Sequence, residues 1–221
     1  MLRFEDTEVW GFDKAVAGMR NPLNSWNKND SMVIDGAFSL GENDKKLAQR
    51  LICAGTEHSK FMRMIHVQST LFAPRFFWSE FDTYKFVEKN STSTMHKLLN
   101  NKYPITIDLF NYTDEDKDIM TLVVNRLEEL RKEFMFVMQN ENIVEKPKIL
   151  NQLLYRAKNL LPESFIQMRT IDTNYAEIRN MYFQRKNHRL PDWNTGFVKW
   201  VELLPYAKEL ITFTKKENKN E

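Results

Sequence analysis

The feature that most constrains the fold is a long amphipathic segment at residues 115–138. Apolar residues recur there at three- and four-residue spacing, which is typical of one face of an α-helix, and acidic residues stand at its start, where the helix dipole favours them. A second helix is predicted at about 146–160, stopped before Pro162. The apolar stripe of the first helix consists of Ile119, Val123, Leu127, Leu130, Phe134 and Val137.

Strands are predicted at three separate places in the chain. Leu2–Trp10 and 165–172 are short candidates, and residues 61–72 alternate and carry β-branched and aromatic side chains. These strands are dispersed among helices without the regular spacing of βαβ units. The pattern therefore favours one α+β domain over residues 1–221.

The remaining segments are assigned from local signals. Residues 21–42 are rich in Asn, Ser, Gly and Asp and predict a loop, and residues 88–96 predict a loop or a short extended segment. Residues 215–221 predict a frayed polar tail. One further helix is predicted from about Asp44, with Asn43 as N-cap and Gly55 as stop signal, and another from Pro74 to about Tyr84. The remaining helices are predicted at Phe12–Met19, at about 174–187 and at about 194–213.

Composition excludes several classes of function. The formal net charge is +2, which is too small to indicate a nucleic-acid-binding domain by itself. The single cysteine, Cys53, excludes an internal disulfide and a thiolate-rich metal cluster. Its place in the apolar run 51–54 predicts a buried, inert thiol.

The N-terminus, MLRFEDTEVW, is charged and shows no signal peptide. No apolar stretch approaches the roughly 20 residues that span a bilayer. We therefore expect a cytoplasmic protein with no membrane association.

Common catalytic motifs are missing from the sequence. It contains no dinucleotide-binding glycine motif, no P-loop, no HExxH and no nucleophile elbow. The four histidines are isolated and lack metal-ligand spacing, so no metal site is predicted. Two segments, 73–97 and 173–200, combine polar side chains with aromatic ones. Each is either an amphipathic helix with a solvated edge or part of a binding site.

The first of these segments resembles the central region of flavin-dependent thymidylate synthases. In that family a strand, a turn such as Ala73-Pro74 and a short helix precede the motif R-H-R-x-x-S-x-x-x-x-S-x-R. Asn90 and Ser93 match an asparagine common in the family and the second motif serine. The other motif positions are occupied here by Thr83, Tyr84 and Lys85 for the R-H-R triplet, Glu88 for the first serine and Met95 for the last arginine.

The second segment resembles the C-terminal half of the same family. An A-R-x-x-L-P stretch there corresponds to residues 157–162, with Lys158 in place of the arginine. A later helix contains N-x-x-x-L-R, matched by Asn180 and Arg185. The H-A-Q-x-E-I-R continuation is replaced by HRLPDWNTGFVKW. The amino-acid sequence of the first segment is similar to that of a divergent, phage-borne branch of the family.

The resemblance implies a twisted, mostly antiparallel sheet flanked by helices, in a homotetramer with active sites at subunit junctions. Such proteins bind FAD, reduce it with NADPH and methylate dUMP with methylenetetrahydrofolate. An active form of this chain would therefore be a flavin-dependent methyltransferase acting on a pyrimidine nucleotide.

The resemblance also assigns roles to individual residues. Basic side chains at the motif positions would hold a dianionic phosphate by charge-assisted hydrogen bonds. The catalytic residues would be Ser93 and Arg185; the residues at the cofactor would be Thr83, Lys85, Ser91 and Asn180; and those at the substrate would be Glu80, Ser93, His96, Lys158 and Arg185.

Two alternatives stay open. Loss of arginine at Thr83 and Met95, and of the H-A-Q segment, is compatible with a degenerate homologue that keeps the tetramer as a binding scaffold. A nucleic-acid binder that stacks bases on aromatic side chains is disfavoured by the low net charge. Its stacking residues would be Phe76, Phe77, Trp78 and Trp193.

Overall fold

The computed structural model describes residues 2–215, so six of the seven residues of the predicted polar tail lie outside the described part. Helices and strands alternate irregularly along the chain. The strands are β1 Arg3–Trp10, β2 Met32–Ile34, β3 Ala37–Ser39, β4 His66–Pro74, β5 Glu88–Ser91 and β6 Ile166–Asn174. The helices are α1 Phe12–Gly18, α2 Glu42–Ala54, α3 Arg75–Phe81, α4 Thr94–Lys97, α5 Lys117–Gln139, α6 Lys146–Leu160, α7 Tyr175–Arg185 and α8 Val198–Glu202.

The strands form two open antiparallel sheets. A four-stranded sheet has the order β1-β4-β6-β5, and β2 pairs with β3 as a separate hairpin. Strand β4 alternates between buried and half-buried residues, as expected for a strand with one covered face. The mixed architecture confirms the α+β prediction.

Contacts divide the described chain into two compact units. Unit 1 comprises residues 72–82 and 90–169, and unit 2 comprises residues 2–71, 83–89 and 170–215. The prediction of a single domain stays a prediction.

Unit 1 is built on the predicted helix pair α5 and α6, which pack against each other. Leu127 and Leu130 of the α5 stripe are fully buried, but Ile119 is 61% exposed. The buried stripe therefore begins at Val124, one turn further along than the spacing suggested. In α3, Phe77, Trp78 and Phe81 are buried; the core of the helix pair is Leu98, Leu99, Ile105, Phe110, Val124, Leu127, Leu130, Val137, Leu153, Ala157 and Leu161.

Unit 2 has an aromatic core. Phe12 packs in T-shaped geometry against Tyr175 and Tyr206, with ring centroids 5.5 and 5.4 Å away. The buried Tyr175 hydroxyl donates a 2.6 Å hydrogen bond to the Pro205 carbonyl, so its polar end is satisfied. Burial raises the pKa of the Tyr175 hydroxyl well above its usual range.

The predicted N-cap of α2 is wrong. Asn43 lies inside the helix, which begins at Glu42 after Gly41. The free N–H groups of Asn43 and Asp44 are instead satisfied by the carboxylate of Asp30, at 2.8 and 3.0 Å. A side chain from a distant loop therefore caps the helix, and local spacing carried no sign of it.

Three other local predictions are corrected. The 21–42 segment contains the β2–β3 hairpin as well as two short 3-10 turns. The C-terminal helix predicted at 194–213 is broken, because Pro205 cannot continue it, into α8 and two π-helical turns. Cys53 is exposed rather than buried, because only the Ile52 side of this α2 turn faces the core.

Among residues 2–215 no helix is both long and apolar enough to cross a membrane.

The predicted strand at 61–72 begins later, at His66, after a 3-10 turn over Lys60–Met64.

Candidate functional site

A cluster of polar side chains in unit 1 surrounds the start of α4. Lys158, on α6, donates a 2.6 Å hydrogen bond from Nζ to Oγ1 of Thr94. The neighbouring Ser93 is the N-cap of α4, and its Oγ accepts the backbone N–H of His96 at 3.2 Å. Lys158 therefore contacts the residue next to Ser93 in this turn. The joint assignment of Lys158, Ser93 and His96 to a substrate, which the resemblance implies, stays a prediction.

Lys158 lies near a second cation, Arg75. Burial lowers the pKa of Lys158, and the positive charge of Arg75 lowers it further. Arg75 itself forms an ion pair with Glu163 at 3.3 Å. A partly buried ammonium group whose only described hydrogen-bond partner is a hydroxyl suits the binding of an anion.

The loop that carries Ser93 is held against β6. The Thr92 N–H donates to the Met168 carbonyl at 3.0 Å, and the Gln167 amide donates to the Thr92 carbonyl at 2.7 Å. Ser91, at the end of β5, is exposed, and Glu80 is half-buried on α3. The backbone contacts fix the position of Ser93 independently of any ligand.

A second polar network lies in unit 2 around Tyr84. Its hydroxyl accepts a 2.8 Å hydrogen bond from Arg185 Nε and donates a 3.1 Å bond to Gln184 Oε1. The Arg185 guanidinium also lies 4.5 Å from the ring centroid of Trp193, which is a cation–π contact. Tyr84 is only 5% exposed, so Arg185 is held between two aromatic side chains.

The network continues along α7. The Gln184 amide donates to Asn180 Oδ1 at 2.8 Å, and Asn180 Nδ2 is 3.5 Å from the carboxylate of Glu177. Burial raises the pKa of Glu177, and the hydrogen bond from Asn180 partly opposes that rise. A chain of hydrogen bonds therefore links Glu177, Asn180, Gln184, Tyr84 and Arg185 within unit 2.

The other motif positions are at the surface. Thr83 and Lys85 flank Tyr84 and are exposed. Met95, which the resemblance aligned with the last arginine of the motif, is 56% exposed. Among the described residues no group of three or more histidine, cysteine or acidic side chains is arranged to hold a metal ion.

A cavity of about 320 Å³ adjoins Asn180 within unit 2. Gly55, with φ of +115° in a region that favours glycine, begins the turn at its rim. Exposed Arg63 forms no ion pair among residues 2–215. The walls comprise Ile52, Gly55, Thr56, Ser59, Met62, Arg63, Ala176, Arg179, Asn180, Phe183 and Gln184.

Comparison with known proteins finds likeness only at the level of structure. No protein-family model and no curated protein matches the sequence. Thymidylate synthase ThyX from Helicobacter pylori, crystallised with FAD and dUMP, superposes with a TM-score of 0.66 and 17% identity over 96% of this chain and 98% of that one. A second structure of that protein with FAD and dUMP gives 0.65 and 17%, over 94% and 98%.

A different enzyme has the same architecture. The UMP/dUMP methylase PolB from Streptomyces cacaoi, bound with 5-Br dUMP, superposes with a TM-score of 0.60 and 13% identity. The superposition covers 96% of this chain and 94% of the PolB chain. At these identities the comparisons establish a ThyX-like fold over almost the whole chain.

The sequence analysis named Tyr84 and Trp193 but gave neither a contact with Arg185, and it did not identify the cavity. The resemblance aligned Tyr84 with the histidine of the family motif, but its partner Arg185 is 101 residues away. The signal that could have identified the pair is the coincidence of two motif positions, one aromatic and one basic. No spacing rule pointed to the residues of the cavity turn.

Proposed function

We propose that this protein binds FAD and a dUMP-like pyrimidine deoxynucleotide and methylates the nucleotide with a folate one-carbon donor. The observation that carries the proposal is the cavity beside Asn180, in a fold whose neighbours were crystallised with FAD and dUMP. The remaining polar positions fit two ligands of that kind.

The cavity suits the ring system of a flavin. Ile52, Met62 and Phe183 offer apolar walls, while the amides of Asn180 and Gln184 offer donors and acceptors at the edge. Its volume of about 320 Å³ accommodates a planar ring system rather than the whole dinucleotide. Arg63, at the rim, would hold a phosphate of the remainder, and Thr83, Lys85 and Ser91 are assigned to the same cofactor.

The two basic residues Lys158 and Arg185 are assigned to the anionic phosphate of the nucleotide. Ser93 and His96 add hydrogen-bonding groups beside Lys158, and Glu80 is assigned to the base. Each charge-assisted contact contributes about 1.5–3 kcal/mol when well placed, so loss of the arginines at Thr83 and Met95 weakens binding without abolishing it. Lysine keeps the charge but not the bidentate geometry of arginine.

Bound FAD would supply the redox chemistry that converts the folate one-carbon unit to a methyl group, with NADPH as reductant. The chain's own residues bind and orient: Asn180 at the flavin edge, and Arg185 and Ser93 at the nucleotide. The homotetramer, the cytoplasmic location and the relation to a phage-borne branch belong to the same proposal.

The test is the visible absorption spectrum of the purified protein during titration with FAD and then with dUMP. We expect flavin bands that shift when dUMP is added, and conversion of dUMP to dTMP when NADPH and methylenetetrahydrofolate are supplied. A protein that stays colourless and takes up no FAD would contradict the proposal.

A scaffold role is the second candidate. Its supporting observation is that Thr83 and Met95 are exposed and carry no charge where the family has arginines. FAD uptake without dTMP formation would favour this alternative.

A further inference from the structure

A second, larger cavity lies on the surface of unit 2 beside α2. Its volume is about 1110 Å³, and it shares no residue with the cavity at Asn180. One face of α2 forms a wall, because Asn43, Lys46, Arg50 and Cys53 follow one another at helical spacing. The lining of this α2 cavity is Arg20, Asn27, Lys28, Asn43, Lys46, Gln49, Arg50, Cys53, Ala54, Phe213 and Lys215.

The charge of the α2 cavity is of one sign. Four exposed cations line it, Lys28, Lys46, Arg50 and Lys215, and no described lining residue is acidic. Among residues 2–215 none of the four forms an ion pair, whereas Lys45, on the same helix, pairs with Glu42. A concave surface lined by several such cations raises the local concentration of anions.

The buried Arg20 provides a fixed hydrogen-bond donor in the lining, while its charge is compensated by an ion pair with Asp44. It is 5% exposed, and its Nε and Nη2 donate to Asp44 Oδ1 at 2.9 and 2.6 Å. Asp44 is itself held by the N–H groups of Asp30 and Ser31, at 3.1 and 3.0 Å. Nη1 of Arg20 has no hydrogen-bond partner among the described residues, so its two N–H donors stay available on a rigidly held guanidinium.

We propose that the α2 cavity is a binding site for a small oligophosphate, of the class of a nucleoside triphosphate. Lys46 and Arg50, one turn apart on α2, would contact the phosphates, with Lys28 and Lys215 around them and Arg20 beneath. Phe213 and Ala54 give the cavity an apolar side on which a nucleobase packs. The proposal does not depend on the flavin site, since neither cavity uses a residue of the other.

Cys53 makes occupancy directly measurable. It is the only cysteine of the chain, it is exposed and it lines the cavity. The rate of its alkylation by iodoacetamide, an uncharged reagent, is measured on the full-length protein alone and with tripolyphosphate, ATP or a single-stranded oligonucleotide. We expect tripolyphosphate or ATP to slow alkylation at least fivefold. Protection by ATP alone would show that the nucleoside contributes, and protection by both that the phosphates suffice.

The variant that tests the cations is the double substitution Lys46→Gln and Arg50→Gln. Both side chains are exposed, so folding is expected to be unaffected, and thermal unfolding checks this. The concentration of tripolyphosphate or ATP that gives half-protection should rise about tenfold or more. The matched control, Lys117→Gln with Lys132→Gln on exposed α5 positions, makes the same change in net charge and should leave protection unchanged.

Three results would overturn the proposal. The first is that neither phosphate compound protects Cys53 from alkylation. The second is that the two double variants lose protection equally. The third is that the oligonucleotide alone protects Cys53, which would assign the surface to nucleic acid. FAD uptake is measured on the same samples. Because it involves other residues, its failure is distinguishable from failure of the oligophosphate site.

Discussion

Lys158 in unit 1 and Arg185 in unit 2 are both partly buried cations, but they differ in the contacts that stabilise their charge. Lys158 has one described hydrogen bond, to Thr94, and the nearby Arg75 makes its charge less favourable. Arg185 is held by the Tyr84 hydroxyl and by the ring of Trp193, and the network runs on to Glu177. Lys158 is therefore able to take an anionic partner, while Arg185 is already positioned.

A similar difference separates Met95 from Tyr84. Met95 is an apolar side chain that is 56% exposed. Tyr84 is only 5% exposed, and its hydroxyl donates a hydrogen bond to Gln184 and accepts one from Arg185. Tyr84 and Arg185 are therefore fixed by contacts within the protein to a greater extent than Lys158, and three substitutions test this contrast.

The largest effect is expected from Tyr84→Phe. The change removes the acceptor of Arg185 Nε and the donor to Gln184 at a side chain that is almost fully buried. The free energy of unfolding should fall by about 1–2 kcal/mol, measured by urea denaturation. Tyr155→Phe, at a 70% exposed position of α6, is the matched control and should change stability by less than about 0.5 kcal/mol. Equal stability of the two variants would contradict the networked description of Arg185.

Glu177→Gln tests the far end of the same network. The folded-state pKa of Glu177 is raised above its usual value of 4.5, so its contribution to stability is present below that pH and is lost as pH rises through the folded pKa. The glutamine variant should therefore be more stable than the wild type at pH 7, by about 1 kcal/mol or less, and lose that advantage near pH 4. Parallel stability curves for the two proteins between pH 4 and 7 would refute this. Glu133→Gln, at an exposed position of α5, should show no such pH dependence.

The smallest effect is expected from Lys158→Met. The pKa of Lys158 is lowered below its usual 10.5, so the unfolded chain binds the proton more tightly and wild-type stability gains as pH rises towards 10.5. The stability of Lys158→Met relative to wild type should therefore decline between pH 7 and pH 10, by a few tenths of a kcal/mol, because the group is half-exposed. A difference that stays constant over this range would mean that Lys158 is not desolvated. Lys132→Met is the matched exposed control on α5.

Much of the fold could be predicted from local patterns. The spacing of Leu127 and Leu130 located α5, Pro162 marked the end of α6, and Gly55 marked the end of α2, because periodicity and chain stiffness act over a few residues. The candidate site was less accessible. Ser93 and Lys158 were identified as parts of one cluster by resemblance, while their link through Thr94 joins residues 64 positions apart.

The sequence by itself determined the α+β class and the helix pair α5–α6. Tertiary structure alone decided that Asp30 caps α2, that Cys53 faces outward and that Tyr84 holds Arg185. The physical reason is range. Helix and strand propensities are set by neighbouring residues, whereas capping from a loop, exposure of one helix face and a buried hydrogen bond depend on chain segments that meet only after folding.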